Sequence, residues 1–230
     1  MTTTIYVDGL NFYYGAVSGT PHKWVDFEAL SRRLVPTDQI GKIRYFTARV
    51  SGVLDPGAPR RQEVLLRAIR ANPLVEVHEG YFRADERWLP VAQGRLPDLF
   101  RPALRPRWLL RRVNLRSDDG SRRRVKVLRL EEKGSDVNLG AHLLEDVFTQ
   151  ACTKAVVISN DSDLVTPIRM AVARGVHVTV VNPRQGRSTG RLRQVASAHR
   201  SIRRSVVAQC QMPDPMVDAT GVALRKPAEW

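Results

Sequence analysis

Cysteine is nearly absent: Cys152 and Cys210 are the only two in 230 residues, too few for a disulfide framework. No apolar run approaches the roughly 20 residues that span a bilayer. The opening Met1-Thr2-Thr3-Thr4 lacks the basic region and apolar stretch of a secretory leader. A soluble cytoplasmic protein with no membrane partner is the expectation. Gly-x-Ser-x-Gly, a Walker phosphate loop and a dinucleotide glycine fingerprint are all missing, which removes the commonest hydrolase, nucleotidase and dehydrogenase signatures. His22, His78, His142, His177 and His199 are scattered without zinc-ligand spacing. Acids are scarce as well, 23 against 37 Lys and Arg, for a net charge of +14.

What remains is an alternation of strand-like and helix-like segments, the pattern of βαβ units around a mainly parallel sheet. Strands are expected at residues 3–7, 43–50, 74–82, 125–130, 155–159 and 176–181, with an edge strand at 202–207. Helices are expected at 26–34 behind the cap Asp26, at 60–71, at 136–150, from the Thr166-Pro167 pair to Gly175, and at 189–198. The length suits one α/β domain with a full core over residues 1–211. Residues 83–124 break the rhythm as a basic insertion, with an Asp119-Gly120 turn signal for a β-hairpin arm. Residues 212–230 read as a flexible tail.

Carboxylates stand where apolar runs stop. Asp8 follows Ile5-Tyr6-Val7, Asp161 and Asp163 follow Ala155-Val156-Val157-Ile158, and Asp136 opens the helical stretch after Val125 to Glu132. Ligands of open parallel sheets bind beyond the carboxyl ends of the strands, where strand order reverses, so such acids can converge there. Oxygen donors of this kind suit Mg²⁺ or Mn²⁺. Each acid also has a plain structural reading, as a turn residue at Asp8 or a helix cap at Asp136 and Asp163, and Ser135 has the cap reading too.

Three strings sharpen the pattern: Tyr6-Val7-Asp8-Gly9-Leu10-Asn11, Glu132-Lys133-Gly134-Ser135-Asp136-Val137-Asn138-Leu139 and Ser159-Asn160-Asp161-Ser162-Asp163-Leu164. In this order they resemble the NYN domain, in its LabA-like bacterial branch, within the PIN-like nuclease superfamily. The resemblance covers roughly residues 3–211 and implies a three-layer, Rossmann-like α/β fold. It also implies a metal-dependent nuclease acting on RNA more often than DNA. Asp8, Asp136 and Asp161 match the acidic triad, Asp163 the fourth acid and Asn11 the site asparagine. The family more often has Gly at the position of Asn160, and Asn tolerates the same turn. On this expectation Asp8, Asp136, Asp161 and Asp163 hold Mg²⁺ or Mn²⁺, while Asn11 positions a carboxylate, water or phosphate.

The basic residues cluster. Eleven Lys or Arg lie between Arg101 and Arg129 against two acids, and seven arginines lie between Arg184 and Arg204 against none. The expected nucleic-acid contacts are Lys133, Arg111, Arg112, Arg122, Arg123, Arg124, Arg184, Arg187, Arg191 and Arg193. Trp88, Phe100 and Trp108 would stack unpaired bases of single-stranded RNA, or pin a loop to the core. Arginine outnumbers lysine 31 to 6, which also fits compositional bias. Two alternatives stand beside the nuclease: a non-catalytic RNA-binding or regulatory protein, and a family member recruited to small-molecule catabolism. Assembly of identical copies is left open.

Overall fold

The sheet of the computed structural model, which describes residues 2–90, 115–116, 124–184 and 190–230, grows outward from β1 (Thr2–Asp8). Ile5, Tyr6 and Val7 are all fully buried, because β1 is covered on both faces as a central parallel strand is. On one side lie β2 (Gln39–Arg49) and β3 (Val75–Pro90), then β5 (Arg124–Lys133) and the short β4 (Leu115–Arg116). On the other lie β6 (Lys154–Ile158), β7 (His177–Asn182) and β8 (Ala198–Ser201). The order β4-β5-β3-β2-β1-β6-β7-β8 reverses direction between β1 and β6. That switch point places Asp8 and the loop after Ile158 side by side.

Helices cover both faces, which makes three layers. On one face α1 (Gly9–Phe12, continuing as a π turn through Val17), α2 (Phe27–Leu34), α3 (Ala58–Arg70) and α7 (Arg204–Gln209) bury Phe12, Leu30, Leu66 and Val207 against Ile5 and Val7. On the other α4 (Ser135–Phe148), α5 (Val165–Ala173) and α6 (Gly190–Val195) bury Leu139, Leu143, Ile168 and Leu192 against Tyr6 and Phe46. Asp26 caps α2 as its sequence position predicts, accepting from the N–H groups of Glu28 and Ala29, both at 2.9 Å.

A buried polar knot ties α4 to the sheet. The Tyr6 hydroxyl donates to Asp146 Oδ2 at 2.6 Å, and Arg44 forks onto the same carboxylate at 2.7 and 3.0 Å. Arg44 and Asp146 are 8% and 5% exposed, so each would be costly to bury alone.

Two expectations change, and the mainly parallel sheet is as expected. The stretch expected as an edge strand at 202–207 forms α7 instead, because Val207 and Cys210 pack into the core at helical spacing; the edge strand is β8. A 3-10 turn at Ser162–Leu164 runs into α5, so that helix starts at Val165 and Thr166 is not its cap. The sheet is parallel from β3 to β8, but β5 runs antiparallel to β3 and β4.

Of the expected basic insertion, residues 83–90 extend β3, which pairs with β5 from Tyr81↔Lys133 to Pro90↔Arg124. Leu115 and Arg116 pair with Val125 and Arg124, while the hairpin turn expected at 118–121 lies outside the described residues. Residues 212–230, expected as a tail, carry the hairpin β9 (Met216–Val217) and β10 (Ala223–Leu224). Trp24 Nε1 donates to the Pro213 carbonyl at 2.9 Å, and Leu224 is buried. No described helix is long and apolar enough to cross a membrane.

Candidate functional site

Asp8 ends β1 and turns directly into α1, whose first turn it caps. Its Oδ1 accepts from the Asn11 N–H at 3.0 Å and its Oδ2 from the Ser159 hydroxyl at 2.7 Å. Asn11 then reaches across the switch point, accepting at Oδ1 from the Asn160 N–H at 3.1 Å. Asn11 therefore clamps the β1 end to the β6 end. Asp161 Oδ1 accepts from the Asp163 N–H at 2.9 Å, which fixes the turn that carries both acids.

The antiparallel β5 delivers the next groups. The β3–β5 ribbon projects past the carboxyl edge of the sheet, so β5 returns to that edge and ends there at Glu132 and Lys133. Gly134 follows at φ +97°, a left-handed turn that aims α4 back over the sheet and sets Asp136 in its first turn. A side chain at Gly80 is excluded too: its Cβ would lie 2.5 Å from the Lys133 carbonyl.

These carboxyls feel one another. Burial first, then the charges of Asp8, Asp161 and Asp163, push the Asp136 pKa from 3.8 to about 7. Asp8 rises from 3.8 to about 6, again through burial, with Asn11 and Ser159 opposing and Glu132 and Asp161 adding repulsion. Glu132 is also raised, chiefly by burial and then by Asp136 and Asp161, while the nearby Ser135 hydroxyl lowers it. No well-formed hydrogen bond joins Glu132 and Ser135: among the described residues Glu132 Oε1 and Ser135 Oγ are buried without partners. Asp8, Asp136, Asp161 and Asp163 thus influence one another electrostatically, and Glu132 joins them, although sequence reasoning gave no role to Glu132 or Ser159 in the quoted strings. Asp136 and Ser135 do not cap α4, since the cap position is Gly134.

Uncompensated carboxylates fit a hard divalent cation in donor chemistry. Among the described residues no group of three His, Cys, Asp or Glu side chains that could hold an ion is formed.

A pocket of about 680 Å³ opens beside the cluster, lined by Gly9 next to Asp8 and by Phe27, Tyr45, Phe82, Lys23 and Arg61 among others. Phe27 and Tyr45 form a tilted aromatic pair with centroids 4.9 Å apart. Gly9 is required here, because a Cβ would meet the Phe46 carbonyl and the Tyr45 hydroxyl at 2.7 Å each. Burial and the charges of Asp8 and Glu132 push the Tyr45 phenol far above its usual range, so it stays protonated. Tyr45 is the link between pocket and acids, and nothing in the local sequence announces it.

Of the expected nucleic-acid contacts, Lys133 stands at this edge, where β5 ends. Arg111, Arg112, Arg122, Arg123 and Arg187, with Phe100 and Trp108, lie outside the described residues. Arg124 begins β5, Lys133 ends it, and Trp88 is an exposed β3 residue. Arg184, Arg191 and Arg193 are exposed after β7 and on α6.

No family model matches the chain. It is 29% identical over 239 aligned residues to 6-hydroxy-3-succinoylpyridine 3-monooxygenase HspA of Pseudomonas putida (strain DSM 28022 / S16), covering 93% of this chain and 70% of that protein. A crystal structure of a protein of unknown function from Vibrio parahaemolyticus aligns over 88% of this chain and 93% of that one, with a TM-score of 0.49 and 18% identity.

The similarity to a monooxygenase overturns the expectation of a metal-dependent nuclease of single-stranded RNA, and with it the ribonuclease and RNA-binding assignments. The physical reason for the misreading is general. Any α/β sheet collects strand-end side chains at its switch point, and the same acidic cluster serves different chemistries according to what the neighbouring pocket admits.

Proposed function

We propose that this chain is an enzyme of small-molecule catabolism that oxygenates a planar aromatic or heteroaromatic substrate held in the pocket beside Asp8. The observation that carries the proposal is similarity to an oxygenase of a substituted pyridine, across 93% of this chain and 70% of that protein. The aromatic-walled pocket of about 680 Å³ supports it, since that volume lies within the range of small-molecule sites. The order of the three acid-bearing strings supports descent from a LabA-like scaffold recruited to this chemistry.

Monooxygenation puts one atom of dioxygen into the substrate and reduces the other to water, consuming two electrons and two protons. A reduced flavin or nicotinamide is the class of electron donor required. The chain's own residues bind the ring and handle protons. Tyr45, which lines the pocket and stays protonated, would donate its hydroxyl hydrogen to a bound substrate. Behind it Asp8 and Asp136, with pKa values of about 6 and about 7, take up and release protons near neutrality. Removing a proton from a ring hydroxyl enriches the ring toward an oxidant. Mg²⁺ or Mn²⁺ remains part of the proposal as a competitor of the carboxyl protons: Asp8, Asp136, Asp161 and Asp163 would hold it when deprotonated, and it would supply positive charge to the cluster in place of the bound protons.

The test is dioxygen consumption by the purified chain with 6-hydroxy-3-succinoylpyridine and related hydroxypyridines, with a reduced nicotinamide or flavin supplied. Label from ¹⁸O₂ should enter the product, and Asp8→Asn should lower kcat by roughly 10²–10⁴, the usual range for loss of a general acid or base. Absence of label from every product across the panel would remove the proposal.

A further inference from the structure

Charged residues line one side of the pocket, Lys23 and Arg61 with Asp55 and Glu229, across from the aromatic pair of Phe27 and Tyr45. Lys23 is partly buried and makes no ion pair among the described residues. Its Nζ lies 5.9 Å from the centre of the Trp230 ring, a loose contact. Arg61 bridges to Asp55, and Lys226 Nζ donates to the Pro21 carbonyl at 2.5 Å, so neighbouring cations are spoken for while Lys23 is not. Burial, then the charges of Arg61 and Lys226, push the Lys23 pKa down. Glu229 lies exposed at the same rim without pairing to it.

An ammonium group held partly out of water beside like charges is stabilised by an incoming anion. We infer that this corner is an anion subsite, in which Lys23, backed by Arg61, receives the carboxylate of an aromatic acid whose ring lies against Phe27 and Tyr45. The inference rests on the pocket being the substrate site proposed above. It assigns the substrate class as an aryl or heteroaryl ring with a short acidic arm, neutral rings being poorer ligands. Phe27 and Tyr45 meet at an interplanar angle of 52°, offering both a face and an edge to a flat ring.

Isothermal titration of the full-length chain at neutral pH, without reductant so that no turnover occurs, tests it. The probes are 3-benzoylpropionate and its primary amide, equal in shape and different in charge. The acid should bind about tenfold or more tightly than the amide, the scale of one charge-assisted hydrogen bond. Lys23→Met should abolish that preference while leaving the amide affinity within about twofold, and Lys23→Arg should restore it. Circular dichroism checks that each variant folds, with Lys23→Gln in reserve. Equal binding of acid and amide by the unaltered chain, or a preference that survives Lys23→Met, overturns the subsite. Failure of both probes to bind overturns the subsite and the pocket assignment together. A Lys23-dependent preference without any dioxygen consumption would remove the proposed reaction and leave the subsite standing.

Discussion

Replacing Asp136 by Asn should make the protein more stable, and only above acidic pH. A carboxyl whose native pKa exceeds its unfolded value binds its proton more tightly in the folded state. The fold is therefore favoured at low pH and penalised as pH rises from 3.8 to about 7. At 1.36 kcal/mol per pKa unit the full penalty is at most roughly 4 kcal/mol. Asp136 keeps part of its hydration and titrates together with Asp8, which brings the expected gain down to about 2 kcal/mol. Loss of a carboxylate from the first turn of α4 takes back about 0.5 kcal/mol. Urea unfolding of both proteins in EDTA at pH 4 and pH 8 measures the difference. The variant should match the unaltered protein at pH 4 and exceed it by about 1–2 kcal/mol at pH 8. An equal gain at both pH values, or no gain at pH 8, would refute a repulsive acidic cluster at this edge.

The same cluster should bind added cations: Mg²⁺ or Mn²⁺ should raise the melting temperature at pH 8 more than at pH 5, and Asp8→Asn should blunt the effect. A melting temperature indifferent to both ions at pH 8 would remove the metal proposal. Asp146→Ala should cost about 3 kcal/mol in chemical denaturation, because it leaves the buried Arg44 guanidinium with only the half-exposed Glu76; a loss under 1 kcal/mol would mean the ion pair is hydrated. Tyr6→Phe should cost less, about 1–3 kcal/mol, for the lost bond to Asp146. Gly9→Ala should disturb pocket and site together, since its Cβ would sit 2.7 Å from the Tyr45 hydroxyl. Unchanged stability and unchanged probe binding in that variant would contradict the packing described.

Much of the scaffold was legible because central parallel strands read as unbroken apolar runs. Ile5-Tyr6-Val7 and Val156-Val157-Ile158 are interrupted at the sheet edge by Asp8 and the Asp161 turn, so the site's position follows from the runs themselves. Glu132 was hidden because its placement depends on β5 being antiparallel, a long-range pairing to β3 that no local pattern specifies. Residues 202–207 misled because the β-branched Ile202, Val206 and Val207 fit a strand locally, while the core contacts of Val207 and Cys210 select a helix. Tyr45, Lys23 and Arg61 meet only because β2, α3 and the segment before α2 converge, and their separation in sequence erases the signal. The functional misreading arose at the same level. Acids and arginines were visible, whereas the pocket beside them is assembled by folding.

The knot of Tyr6, Arg44 and Asp146 holds α4 near its end, while Asp136 rides at its beginning. Ten residues separate the two aspartates, about 15 Å along a helix. The helix is then a rod hinged at one tip, and a tilt of about 4° about the knot would carry the Asp136 carboxyl through about 1 Å. Displacements of that size decide whether a proton is passed or withheld. A substitution in the knot would therefore detune the site from a distance, as a worn pivot spoils the aim of a pointer.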